Sequence, residues 1–237
     1  MLDGQQTNPQ TFNASSLKDL VIAHLLFAAS AVAILLGFAA TPIGIRMLAA
    51  VLLYNIMIPC LGRARGHKEW FDIWSFVLPL SILQLFPDLF LSASLNVLAF
   101  SGDGFLIVGT VPAYMAGLWA IPFFFIVCAG LWLERTKSRT ITLLLVGLLS
   151  LVIFILAEET MWMLPSWHAQ NVTMVGHVAI YIVVPEIMLG VSTYLVYKHV
   201  MKRPLWQRIV WIYVVMALYV GNAGLSYLLV ENLLFAA

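Results

Sequence analysis

Charge is what this chain has least of. Asp, Glu, Lys and Arg make up 10% of its 237 residues, against 62% hydrophobic, where a soluble domain carries roughly 25% charged residues. That scarcity excludes an ordinary water-facing surface. The few basic residues are spread over loops and form no patch, which argues against a nucleic-acid partner. Cysteine is nearly absent. Cys60 and Cys128 both fall in apolar stretches and read as buried thiols, with no disulfide framework and no structural zinc. Also missing are His-Glu-x-x-His, Gly-x-Ser-x-Gly, a P-loop and a dinucleotide fingerprint, so the chemistries those motifs serve have no sequence support. Histidine pairs spaced for two haems are lacking, and no lysine interrupts the last apolar run to form a retinal Schiff base. Residues 1–16 are polar without a basic n-region. The first apolar run is therefore expected to stay as a membrane helix and not to be removed as a signal peptide.

What the chain does have is long apolar runs. A helix needs about 20 such residues to cross the hydrocarbon core. Runs of that kind predict seven membrane helices over about 20–40, 45–61, 71–91, 105–133, 140–164, 172–197 and 206–235. The polar stretch SASLNVLAFSGDG after the third reads as a re-entrant or interfacial piece. The basic loops test the count. Arg63, Arg65 and Lys68 follow the second run, Arg135, Lys137 and Arg139 the fourth, and Lys198, Lys202, Arg203 and Arg208 the sixth. Alternate loops are thus basic, as the positive-inside rule requires. The expected fold is all-α: a polytopic integral membrane protein, a seven-transmembrane-helix bundle with the N-terminus inside and the C-terminus outside. It is read as a single membrane domain, 1–237, with a polar segment at 1–19. The location expected is a cell membrane, inner or plasma, or an equivalent organelle membrane. Trp70, Trp74, Trp132, Trp167 and Trp206 lie near predicted helix ends, as an aromatic belt does.

Topology sorts the acids. Asp3, Asp19, Glu69, Asp72 and Glu134 fall on the basic side, where they pair in water. Asp88, Asp103, Glu158, Glu159 and Glu231 fall on the other side and Glu186 near the midplane, with Arg46 as their one basic neighbour. Ionisable groups inside membrane segments are costly and point to function by default. Helical spacing groups them further, since residues three, four and seven apart share a face. Ser81, Gln84, Asp88 and Ser92 form one polar stripe; Gly147, Phe154 and Glu158 another; Ala217, Gly224, Tyr227 and Glu231 a third. Glu186 lies about fourteen residues into its run, roughly 21 Å from the outer end, and Glu159 roughly 8 Å deep, which makes Glu186 the costliest charge in the chain. His177 and Glu186 are nine residues apart and need the Pro185 kink, where Tyr181 loses a backbone partner, to approach each other.

The catalytic candidates are accordingly Glu158, Glu159, His177 and Glu186. Two neighbouring carboxylates do not both ionise cheaply, so one can act as an acid. Asp88, Tyr181, Asn222, Tyr227 and Glu231 are the substrate-binding candidates. His168, in an outer loop, is expected to be solvated. No metal is called for, although Glu159, His177 and Glu186 form a conceivable ligand set; the cofactor is open.

The run Ala157-Glu158-Glu159-Thr160-Met161-Trp162 resembles the Glu-Glu helix of membrane-embedded CAAX-type proteases and the Pro-x-Glu-Glu run of membrane lycopene cyclases. Met163 stands where the proteases carry arginine, and Leu156 where the cyclases carry proline. The resemblance implies that such a pair on a membrane helix suits acid/base work on lipid-like substrates. The expected function is therefore a membrane-embedded enzyme using intramembrane carboxylates and a histidine on an apolar, lipid- or isoprenoid-like substrate, with membrane lipids around it. The alternatives are a non-enzymatic membrane subunit with membrane-protein partners, and a proton- or cation-coupled transporter.

Overall fold

A computed structural model describes residues 12–101, 105–164 and 166–235. Asp3, Asp103 and most of the polar amino-terminal segment lie outside the described residues. Among those described, seven helical stretches are long and apolar enough to cross a membrane. The chain runs α1 (Ala14–Gly37), α2 (Ile43–Ala64), α3 (Lys68–Leu83) and a short α4 (Leu85–Leu89) that ends in a π-helical turn at Phe90–Ser94. Then come strands β1 (Leu98–Phe100), β2 (Ile107–Val108) and β3 (Val111–Pro112), the short α5 (Met115–Leu118), and α6 (Ala120–Leu133). After α7 (Arg139–Met161) follow β4 (Trp167–Ala169), β5 (Met174–Val175) and β6 (Val178–Ala179), then α8 (Ile180–Val200) and α9 (Leu205–Leu229). A second π-helical turn, Val230–Leu234, closes the last stretch.

Local chemistry sets several boundaries. The Asn13 side chain accepts the Ser16 backbone N–H (2.8 Å) and caps α1, satisfying one of the donors a helix start leaves open. Thr41-Pro42 ends the connection from α1 and places Pro42 just before α2, where a fixed φ costs nothing. Inside α8, Pro185 cannot donate to the Tyr181 carbonyl. The Ser226 hydroxyl of α9 donates to that carbonyl instead, at 2.5 Å, and so satisfies the group the proline leaves open.

α3, α6, α7, α8 and α9 pack as a closed ring of neighbours, with α9 returning to α3, while α2 lies outside against α3 and α1 against α2. α8 is the most deeply buried span and α1 the least. The core is aromatic, with Trp70, Tyr54, Phe76, Phe123, Phe124, Tyr194 and Tyr197 fully buried. Around it, Leu25, Leu26, Leu144, Leu148, Val210 and Leu228 face outward, a surface that lipid accepts and water does not. The α7–α8 seam is close: a Cβ on Gly190 would collide with the Ser150 hydroxyl, so glycine there lets the backbones approach.

The two ends of the ring differ. At the basic end the acids are partnered. Arg65 and His67 hold Asp19 (3.0 and 2.8 Å); Arg208 and the Tyr197 hydroxyl hold Asp72 (2.7 and 2.9 Å); Lys198 and Tyr194 hold Glu134. The other end is capped by short strands. β1 pairs antiparallel with β4 (Leu98 opposite Ala169, Phe100 opposite Trp167), and β2–β3 and β5–β6 are hairpins.

Those hairpins revise the expected boundaries. The runs at 105–133 and 172–197 do not open as helices. Gly109 (φ 64°) and Gly176 (φ 62°) sit at their turns in a left-handed conformation that glycine adopts freely. The flanking Ile107, Val108, Val111, Val175 and Val178 are β-branched and suit strands. Glu186 is therefore the seventh residue of α8, roughly 9 Å from its start rather than 21 Å. Other readings also shift. Cys128 is buried, but Cys60 is exposed on the outer face of α2. Trp70 is fully buried and donates to Ser16 Oγ at 2.8 Å, and Trp167 also turns inward, so neither belongs to an aromatic belt.

Candidate functional site

Below the strand cap a pocket of about 410 Å³ opens between the helices, within the size range of small-molecule sites. Its walls are mostly apolar, and three carboxylates from three elements reach it: Asp88 of α4, Glu158 of α7 and Glu186 of α8. Each is placed by its helix. The stripe Ser81, Gln84, Asp88, Ser92 is buried along its whole length, so Asp88 faces inward. On α7, Phe154 and Glu158 share the pocket face, four residues apart. On α8, Ile182 and Glu186 do the same. Glu158 lies within electrostatic reach of both other acids, and Glu186 within reach of Asp88.

The three are not held alike. The Trp119 indole N–H donates to Asp88 Oδ2 at 3.2 Å. The Trp167 indole N–H donates to Glu158 Oε1 at 3.1 Å. Glu186 is 4% exposed, and among the described residues no hydrogen bond reaches its carboxyl. Among the described residues, no Lys or Arg lines the pocket. Arg46, the one basic residue expected at this end, is occupied by the Leu35 carbonyl near the end of α1. Uncompensated buried carboxylates are expensive, and three together are more so.

Aromatic rings complete the walls. Trp119 stacks on Phe123 (5.7 Å between centroids) and lies against Phe154 (5.6 Å) and Tyr219 (6.1 Å). Tyr219 of α9 and Tyr181 of α8 bring hydroxyls near the acids. On another wall stands His24 of α1. Its Nδ1 lies 2.9 Å from the Leu20 carbonyl and its Nε2 3.1 Å from the Tyr54 hydroxyl. A carbonyl only accepts, so Nδ1 carries a hydrogen, and the Tyr54 hydroxyl also lies 3.4 Å from the Ile121 carbonyl.

The expected site residues divide. Glu158, Glu186, Asp88 and Tyr181 meet in the pocket. Glu159 and His177 do not. A step of one residue turns a helix by about 100°, which carries Glu159 out of the pocket to the β5–β6 turn. There its carboxylate accepts the His177 backbone N–H (2.8 Å) and faces His177 Nδ1 (3.2 Å). The Trp162 indole stacks on the His177 ring at 4.2 Å. Both ionisable side chains are 44% exposed, and a Cβ on Gly176 would strike the Glu159 carboxylate. The set Glu159, His177 and Glu186 is thus not assembled around a metal, and among the described residues no group of three or more His, Cys, Asp or Glu has a metal-binding arrangement. Glu231 clamps the loop before β5, accepting from Thr173 N (3.0 Å) and Oγ1 (2.9 Å). Tyr227 packs edge-on against Tyr181 (5.6 Å), behind the wall. Asn222 is half-buried on α9 and does not line the pocket. His168 on β4 is exposed.

Four pocket residues escaped the sequence reading: His24, Trp119, Trp167 and Tyr219. His24 carried a signal, a polar ring in the middle of an apolar run, the same warrant that singled out Glu186. The indoles carried none, since a tryptophan near a helix end looks alike whether it faces lipid or an acid.

Comparison with protein families matches residues 85–230 to DUF6989, a domain of unknown function. No curated protein and no solved structure matches the chain. The matched stretch begins at α4 and holds all three pocket carboxylates, both indoles and both tyrosines, with His24 outside it. It covers well over half of the sequence, and the chain belongs to the DUF6989 family.

Proposed function

We propose that this protein is a membrane-embedded enzyme performing acid/base chemistry on an apolar, lipid- or isoprenoid-like substrate. The observation that carries the reading is the meeting of Asp88, Glu158 and Glu186, from three separate elements, in one largely apolar, aromatic-walled pocket that no described Lys or Arg lines. Burying three acids together destabilises a fold, and a packing role does not require it. Buried acids without a cation, gathered in one cleft, point to a functional site. Glu186, with no hydrogen-bond partner among the described residues, is the acid that meets the substrate. Asp88 and Glu158, each held by an indole, set the charge around it.

The basic loops favour an orientation with the amino terminus inside, which puts the pocket in the outer half of the bilayer. An apolar substrate then reaches it from the lipid.

The test is turnover. Purified protein in lipid nanodiscs is incubated with fractionated membrane lipids and isoprenoids, and consumption is followed by mass spectrometry. A consumed species that survives incubation with the Glu186→Gln variant is the expected result. No consumption of any fraction, or full consumption by the variant, overturns the reading.

A further inference from the structure

Acid/base chemistry on an apolar molecule passes through either a negative or a positive charge, and the pocket walls discriminate between them. A developing anion needs donors or cations. Among the described residues no Lys or Arg lines the pocket, and both indole N–H groups already donate, to Asp88 and Glu158. Tyr181 and Tyr219 line the same pocket as the carboxylates, so an anion placed beside them would meet Asp88 and Glu158, two acids of its own sign. A cation meets the reverse. It finds the carboxylates of Asp88 and Glu158, joined by Glu186 once that proton is given, and the packed rings of Trp119, Phe154 and Tyr219 on the same lining. Aromatic faces and carboxylates in a dry site both attract positive charge.

The unequal support of the three acids assigns the parts. An N–H donor offsets the charge of the carboxylate it touches, and Asp88 and Glu158 each have one. Glu186 has none among the described residues, so it is the group that holds a proton to give.

Building on the enzyme reading of this site, we infer that the pocket is made for an apolar molecule that bears, or acquires from Glu186, a single positive charge. In the step itself the Glu186 O–H bond breaks and the proton bonds to an electron pair of the substrate. The negative charge left on Glu186 then faces the positive charge on the substrate, held between Asp88 and Glu158. Return of one proton from the substrate cation to a carboxylate restores the starting balance.

The test uses three probes of one length: octyltrimethylammonium, its uncharged carbon isostere 2,2-dimethyldecane, and decanoate. Trp119 and Trp167 line the pocket and report occupancy by fluorescence, with the full chain in nanodiscs of zwitterionic phosphatidylcholine. The ammonium is expected to bind at least about tenfold more tightly than the isostere, with no saturable binding of decanoate. In the Asp88→Asn/Glu158→Gln double variant the ammonium preference falls toward unity while the isostere binds as before. Equal binding of ammonium and isostere by the native protein, or saturable binding of decanoate, overturns the inference, and this comparison needs no variant to fold. An ammonium preference unchanged in a double variant that still binds the isostere also overturns it. Lipid turnover without an ammonium preference sinks this inference and leaves the enzyme reading standing; an ammonium preference without turnover of any lipid does the opposite.

Discussion

At the basic end of the bundle Asp19, Asp72 and Glu134 each face a cation, and in two cases a tyrosine hydroxyl as well. In the pocket Asp88, Glu158 and Glu186 face two indoles and no cation. The same residue types thus do two jobs. At the basic end the pairs tie loops to helix ends and to each other: Arg208 of α9 reaches Asp72 of α3, and Lys198 of α8 reaches Glu134 after α6. Such pairs are modest in energy when partly exposed, but they fasten the ends of helices whose lipid faces offer no specificity. In the pocket the only ties among the described residues are two indole N–H bonds, to Asp88 and Glu158. No cation neutralises the acids, which leaves their electrostatic demand for a proton or a ligand to meet.

Exchanging acid for amide at each end is the sharpest way to break this contrast. Glu186→Gln should reduce turnover by about 10²- to 10⁴-fold, the usual reach of a general acid, while leaving thermal stability equal or higher, because it removes an uncompensated buried acid. A large fall in melting temperature with turnover kept would reverse the roles assigned to the two ends. Next in size is the scaffold between them. Gly190→Ala drives a methyl into the Ser150 hydroxyl and should cost about 1–3 kcal/mol as overpacking, recovered in part by the Gly190→Ala/Ser150→Gly double variant; a neutral single variant would mean that the α7–α8 seam is looser than drawn. Asp72→Asn should cost about 1 kcal/mol, seen as a lower melting temperature that high salt also produces in the native protein, with turnover kept. Smallest is Glu159→Gln. Its carboxylate clasps a surface turn, so turnover should stay at the native level and only protease cleavage near the β5–β6 turn should rise. Lost turnover in that variant would move the chemistry from the pocket to the surface cluster.

How much of this was legible beforehand differs by element. The stripe through Asp88 and the shared face of Phe154 and Glu158 follow from helical spacing, and the structure buries the stripe and turns that face into the pocket. The hairpins at 107–112 and 174–179 were not legible, because a short apolar run carries no period that separates strand from helix. That one ambiguity placed Glu186 too far along its helix and His177 within that helix. His177 in fact sits on an exposed turn beside Glu159. Adjacent residues on a helix point about 100° apart, so only one of Glu158 and Glu159 can face the pocket, and adjacency does not say which.

The sequence by itself determined the helical class, the seven apolar spans long enough to cross a membrane and the presence of acids within them. These depend on composition and length, which are local quantities. Only the tertiary structure decided that Glu158 rather than Glu159 enters the pocket, that Trp119 and Trp167 hold two of its acids, and that Glu186 is left bare. Those facts depend on how each helix is rotated against its neighbours and on where it starts. Both are set by packing between segments far apart in the chain, and no local pattern encodes them.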